Sequence, residues 1–82
     1  MARIVLTVRQ WGALLDLFHV QQLFRSKAWI SPDQLEPGSC LILSEMVHTG
    51  YVSCRTERNG SLRCYRITER GRYAAMMHYE TC

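Results

Sequence analysis

Nine of the ten cationic side chains in this sequence are arginine, and Arg55, Arg58, Arg63, Arg66, Arg70 and Arg72 all fall within residues 51–82. Only Glu57, Glu69 and Glu80 oppose them there, whereas residues 1–50 balance Arg3, Arg9, Arg25 and Lys27 against Asp16, Asp33, Glu36 and Glu45. The whole formal charge of +3 therefore belongs to the last third of the chain. A planar guanidinium fork suits phosphate better than a lysine point charge does, so the arginine bias points toward a phosphate-bearing partner. Arginines also decorate solvated hairpins, and the two readings diverge only once the elements that hold these residues are known.

Other chemistry finds little support. Cys40, Cys54, Cys64 and Cys82 contain no C-x-x-C spacing, and His19, His48 and His78 form no H-x3-5-H pair, so no structural metal is expected. No local sequence places a nucleophile beside an oriented base, so the chain reads as a non-enzyme without a cofactor. His19 falls on the polar side of the first helix and His78 near the end of the last, as surface or helix-terminal residues. Trp11 and Trp29 sit among apolar neighbours and read as core anchors rather than stacking platforms.

With 82 residues the chain has room for one core, and 48% hydrophobic with 21% charged residues is enough to build it, so residues 1–82 are expected to form a single domain. Apolar runs such as Cys40–Leu43 are far too short to span a bilayer, and Met1-Ala2-Arg3 leads into only a brief apolar stretch. Without an export signal, the expected location is the cytoplasm and the expected cysteine state is the reduced thiol.

Arg3-Ile4-Val5-Leu6-Thr7-Val8 is rich in β-branched residues and predicts a short strand. From about Arg9 to Phe24 the apolar residues return at helical spacing. Trp11, Leu14, Leu15 and Phe18 lie on one side, and Ala13, Leu17, Val20 and Phe24 on another. Together they form an arc of roughly 220°, wider than the ~100° stripe of a surface helix, so two surfaces must cover it. One cover is the domain's own core. The other is either a second copy of the chain, meeting Leu17, Val20, Phe24 and Met77, or the first strand and last helix of the same domain. Met76-Met77 fills core gaps or joins that dimer contact.

Ser31-Pro32-Asp33 predicts the start of a short second helix, which Pro37-Gly38 ends. Ser39 is placed to cap a third helix from Cys40 to about His48, stopped at Thr49-Gly50. In that helix Leu43, Met46 and Val47 share a side with Ser39 and Cys40, leaving Leu41, Ser44, Glu45 and His48 outward. After Gly50 the period changes to 2. Asn59-Gly60 predicts a type I′ hairpin, whose register faces Val52 with Ile67, Cys54 with Tyr65 and Thr56 with Arg63. Cys54 and Cys64 then lie on opposite faces, which disfavours a disulfide between them. Thr68 caps a final helix from Glu69 to about Tyr79, whose Tyr73, Met76 and Met77 can pack back.

Leu43-Ser44-Glu45-Met46-Val47-His48-Thr49-Gly50-Tyr51-Val52 resembles the end of the recognition helix and the start of the wing in PadR-type and MarR-type bacterial regulators. Tyr65-Arg66-Ile67-Thr68-Glu69-Arg70-Gly71-Arg72 resembles the Y-x-[LI]-T-x-x-G-[RK] segment with which those domains leave the wing. The likeness covers about residues 9–79 and concerns the fold more than any one family. It implies an α+β, mainly α winged helix-turn-helix: a three-helix core, a β-hairpin wing and a final helix. It also implies a cytosolic, usually homodimeric, binder of double-stranded DNA whose third helix enters the major groove.

The residues match that expectation unevenly. Arg55, Arg58 and Arg63 around Asn59 can neutralise phosphates or enter a narrow groove. The third helix offers Ser39, Leu41, Ser44, Glu45 and His48, without the Arg, Asn or Gln that usually read bases. Glu45 can accept from cytosine N4, Leu41 can touch a thymine methyl and Ser44 can bond either, yet Glu45 also repels phosphate. The alternative is a winged-helix module that binds another protein through the Leu41 face or the first helix.

Overall fold

The computed structural model describes residues 6–24, 27–57 and 59–81, with side chains to residue 78. Among these residues, three α-helices and one two-stranded antiparallel sheet follow the order α1 (Val8–Leu23), α2 (Ser39–Met46), β1 (Val52–Glu57), β2 (Leu62–Ile67), α3 (Glu69–Thr81). The result is a mainly helical α+β fold. Residues 3–5 of the expected Arg3–Val8 strand lie outside the described residues, but its end is not a strand. Thr7 is instead the N-cap of α1 and Val8 its first residue. The Thr7 hydroxyl accepts the Gln10 N–H at 3.1 Å, and Gln10 Oε1 accepts the Thr7 N–H at 2.9 Å. This reciprocal pairing satisfies two backbone donors and outweighs the β-propensity of Val8.

Along α1, Ala13, Leu14, Leu17, Phe18 and Gln21 are buried, and Trp11, Leu15 and Val20 lie partly covered against the same core. The wide apolar arc is covered from within, by α2, β2 and α3, which all contact α1. Leu17 is 0% exposed and belongs to this core, so it is not available to a second subunit as expected from the helical wheel. Gln21 is the polar member of the stripe. Its amide nitrogen donates to the Ala28 carbonyl at 2.8 Å, and its oxygen accepts the Ile67 N–H at 3.2 Å. One side chain thereby ties α1 to the segment before Ile30 and to the end of β2.

The expected second helix shrinks to a single 3-10 turn, Pro32–Gln34, in which Gln34 Oε1 accepts the Ser31 N–H at 3.1 Å. Pro32 and Pro37 stand too close together for α-helical bonding to propagate between them. Buried Leu35 anchors the turn. Gly38, at φ +89°, turns the chain into α2 and is its N-cap, so Ser39 lies inside the helix rather than capping it. Asp16 of α1 holds this corner: one carboxylate oxygen accepts the Glu36 N–H at 2.8 Å and the Ser39 hydroxyl at 3.0 Å. Leu43 and Met46 seal the inner side of α2. Val47 belongs to a following 3-10 turn, Val47–Thr49, and is partly exposed instead of sharing their side.

The ribbon register is Val52↔Ile67, Cys54↔Tyr65 and Thr56↔Arg63 on one face, with Ser53↔Arg66, Arg55↔Cys64 and Glu57↔Leu62 on the other. Asn59 at φ +57° and Gly60 at φ +86° occupy the two left-handed positions of the turn, the geometry that favours this dipeptide. Cys40, Cys54 and Cys64 form no disulfide with one another. Tyr65 fastens the ribbon to the rest of the fold. Its N–H donates to the Ile30 carbonyl at 2.8 Å, and its own carbonyl accepts the Ile30 N–H at 2.7 Å.

Thr68 caps α3, accepting the Gly71 N–H at 3.0 Å while its hydroxyl donates to the Gly50 carbonyl at 2.6 Å. The helix packs by small residues. Ala74 and Ala75 are sealed, whereas Tyr73 and Met76 are exposed and Met77 is only partly covered. Gly71, Ala74, Ala75 and His78 make the i, i+3, i+4, i+7 stripe, and the His78 ring stacks on Trp11 with centroids 4.3 Å apart. His78 is thus a packing residue between helices rather than a free terminal one. Gly71 is required: a Cβ there would lie 2.1 Å from the Tyr51 carbonyl oxygen and 2.9 Å from Ile67 Cγ1.

Two glycine substitutions test this packing in opposite directions. Gly71→Ala should destabilise the protein by about 1–3 kcal/mol, because backbone rather than a flexible side-chain end must move. Gly12→Ala, on an exposed helical site with nothing within 4 Å, should stabilise it by about 0.5–1 kcal/mol. Urea unfolding of both variants reads the difference. Gln21→Leu should cost about 2 kcal/mol or more in the same assay, since it strands two backbone groups.

Candidate nucleic-acid interface

The residues expected to touch DNA divide into those on α2 and those on the ribbon. On α2, Ser39 is buried and its hydroxyl is bonded to Asp16, so it is not a surface donor as expected. Ser44 is likewise directed inward. Its hydroxyl donates to the Cys40 carbonyl at 3.0 Å and also bonds the Tyr65 hydroxyl. This hydroxyl joins α2 to β2 and is not the outward-facing group expected from the sequence. Leu41, Glu45 and His48 remain exposed, with Leu41 at 71%. No cation lies on α2, while Asp33, Glu36 and Glu45 are exposed on it and on the approach to it.

Strand parity decides how the ribbon presents its charge. Arg63 shares a face with Tyr65, the face on which α2 packs through Ser44, whereas Arg55 points to the opposite face. The expected group of Arg55, Arg58 and Arg63 is therefore not one patch. Arg58 lies outside the described residues, and Asn59 is exposed at the turn. Arg55 also carries a local partner, Glu57, at 3.4 Å, in an exposed ion pair worth little in water.

That opposite face joins Arg55 to residues not expected at an interface from the sequence. The Arg66 guanidinium carbon lies 4.3 Å from the centre of the Trp29 ring, and that of Arg55 lies 5.9 Å from it. Arg66 also donates from one terminal nitrogen to the Lys27 carbonyl at 3.3 Å. Trp29 is thus a half-buried plate for two arginines rather than a core anchor, and exposed Lys27 lies beside it. The signal that could have located this cluster is the register itself, since Arg55 and Arg66 become same-face diagonal neighbours once Asn59-Gly60 is placed in the turn. Trp29 joins them only through the Ile30–Tyr65 bridge, which no local pattern announces.

The residues expected at a subunit contact also separate. Leu17 is in the core and Val20 lies against it, whereas Phe24 is 48% exposed and Met77 partly covered. Phe18, Phe24, Ile67, Arg72 and Met76 line a groove of about 400 Å3 between the end of α1 and α3. Exposed Leu23 and Tyr73 add to the apolar surface of these two helices. Among the described residues no group of three His, Cys, Asp or Glu is arranged to hold a metal ion, and no helix is long and apolar enough to cross a membrane.

Ser44→Ala separates a structural from a reading role. It should lower stability by about 1 kcal/mol in urea unfolding, and any DNA affinity should stay within a factor of about two. A loss of DNA affinity without a loss of stability would return Ser44 to the surface.

No family model and no curated protein matches the chain. Among solved structures, the crystal structure of AF1382 from Archaeoglobus fulgidus is similar to it, with a TM-score of 0.64 and 16% sequence identity over 94% of this chain and 87% of that one. At that identity the two chains share a fold, and it is the fold alone that the likeness shows.

Proposed function

We propose that this chain is a small winged-helix regulator that binds double-stranded DNA as a homodimer. The observation that carries the reading is the ribbon: fastened at its base to Ile30, it carries Arg55, Arg63 and Arg66 against Glu57 alone. A rigid cationic projection loses little conformational entropy when it meets a phosphate backbone. The element order supports the same reading, with the 3-10 turn and α2 as the helix-turn-helix and the ribbon as the wing. In this arrangement α2 offers Leu41 to a thymine methyl and Glu45 or His48 to base edges, while the ribbon supplies most of the affinity. Its action is occupancy of a DNA site rather than chemistry. Phe24, Leu23, Tyr73 and Met76, exposed near the α1–α3 groove, are the surface assigned to the second copy.

A fluorescence titration against pooled DNA fragments at two salt concentrations tests the proposal. Binding should be evident at low salt and weaken steeply as salt rises, and the joint Arg55, Arg58 and Arg63 to alanine variant should lose at least tenfold. Absence of binding above background at low salt would remove the DNA reading. The specific observation favouring a second reading is Leu41, 71% exposed on a helix without cations, which suits a protein-docking face. Sedimentation checks the dimer: Phe24→Asp should shift the chain to monomer at concentrations where the parent is dimeric.

A further inference from the structure

The outer face of the ribbon brings Arg55 and Arg66 together over Trp29, at a place distinct from the ribbon turn and from α2. Its same-face residues are Ser53, Arg55, Glu57, Leu62, Cys64 and Arg66, and Trp29 and Lys27 are laid against them by the Ile30–Tyr65 bridge. Two features set this face apart from ordinary surface arginines. Arg66 holds its guanidinium carbon 4.3 Å from the centre of the Trp29 ring and donates to the Lys27 carbonyl at 3.3 Å, so the group is held in place before anything binds. A guanidinium carries five N–H donors, and with one given to the Lys27 carbonyl the others are left for a phosphate, which the planar fork suits.

The cations of this face come from three segments, Arg55 from β1, Arg66 from β2 and exposed Lys27 from the stretch before Ile30, an arrangement suited to a chain of phosphates. Arg55 and Arg66 are diagonal cross-strand neighbours that meet over the Trp29 ring. The acidic residues around α2 lie elsewhere, and Glu57 is the lone carboxylate on this ribbon face.

We infer that Arg66, Arg55 and Lys27, with Trp29 as the orienting plate, form a phosphate-backbone contact that holds one DNA strand against the outer face of the ribbon. The inference rests on the proposed DNA binding and adds to it two residues, Lys27 and Trp29, while giving Arg55 and Arg66 a defined contact. Arg63, on the other face of the same ribbon, then serves a separate contact. Trp29 acts as a positioning residue that spares Arg66 the ordering cost of binding.

The test is the salt dependence of binding to a duplex of fixed sequence, using the full chain. Each neutralised phosphate adds about 0.9 to the slope of log affinity against log salt. The joint Lys27→Gln and Arg66→Gln variant should lower that slope by about 1.8 and weaken binding by at least tenfold at low salt. Trp29→Leu should weaken binding several-fold with the slope unchanged, because the cations remain and only their orientation is lost, and Trp29→Phe should restore most of it. Thermal unfolding of each variant confirms that the fold persists. Lys27→Gln with Arg66→Gln leaving slope and affinity at the parent's values, while the parent binds, would overturn this inference and leave the DNA reading standing. A parent that shows no salt-sensitive binding would overturn both.

Discussion

The hydrogen-bond pairing of Tyr65 with Ile30 and Ser44 is the constraint on which the remaining geometry depends. Its main chain exchanges two hydrogen bonds with Ile30, its hydroxyl bonds Ser44 of α2, and its side chain is 1% exposed. A two-stranded ribbon alone is marginal in water, because one of its faces needs cover and its edges need partners. Here β2 finds an edge partner in Ile30, a covering helix in α1, and a tie to α2 through the Tyr65 hydroxyl. Gln21 reinforces the join from below by bridging Ala28 and Ile67. These buried polar groups are fully paired, so the ribbon is held at one orientation rather than a range of them.

That fixed orientation gives the charge its functional meaning. Side chains alternate between faces of a strand, so the arginines of one hairpin cannot act together unless parity allows it. Arg63 accompanies Tyr65 toward the α2 side, and Arg55 and Arg66 turn outward to Trp29. The α2 side also carries Asp33, Glu36 and Glu45, which makes it the less favourable approach for a polyanion. Asp16, by contrast, is committed to the Glu36 N–H and the Ser39 hydroxyl, and so contributes to architecture first.

Sequence patterns carried the ribbon and the long first helix well because each depends on strong local signals. Asn59-Gly60 sets the turn and thereby every cross-strand pair, and the apolar spacing from Trp11 to Val20 sets the buried side of α1. Three features escaped for physical reasons. Thr7 and Gln10 form a capping box whose signature is present, but the β-branched run before it masks the helix start. In α3 the large side chains Tyr73 and Met76 look like the packing residues. Gly71, Ala74 and Ala75 pack instead, because the helix approaches the Tyr51 backbone too closely for anything larger. Ser39 and Ser44 look like surface hydroxyls until tertiary partners, Asp16 and Tyr65, are brought to them from residues far along the chain. The candidate site was legible as a charge excess but not as a surface, since Trp29 reaches Arg66 only after the chain has folded.

A titration of isotope-labelled protein with a short duplex, followed by amide and indole NMR, tests the central claim most directly. The account predicts that the resonances moved most belong to residues 53–57 and 62–66 and to the Trp29 indole, with α1 unmoved. Perturbations confined to Leu41–His48, or to the exposed end of α1 and α3, would contradict it, as would a spectrum that the duplex leaves unchanged.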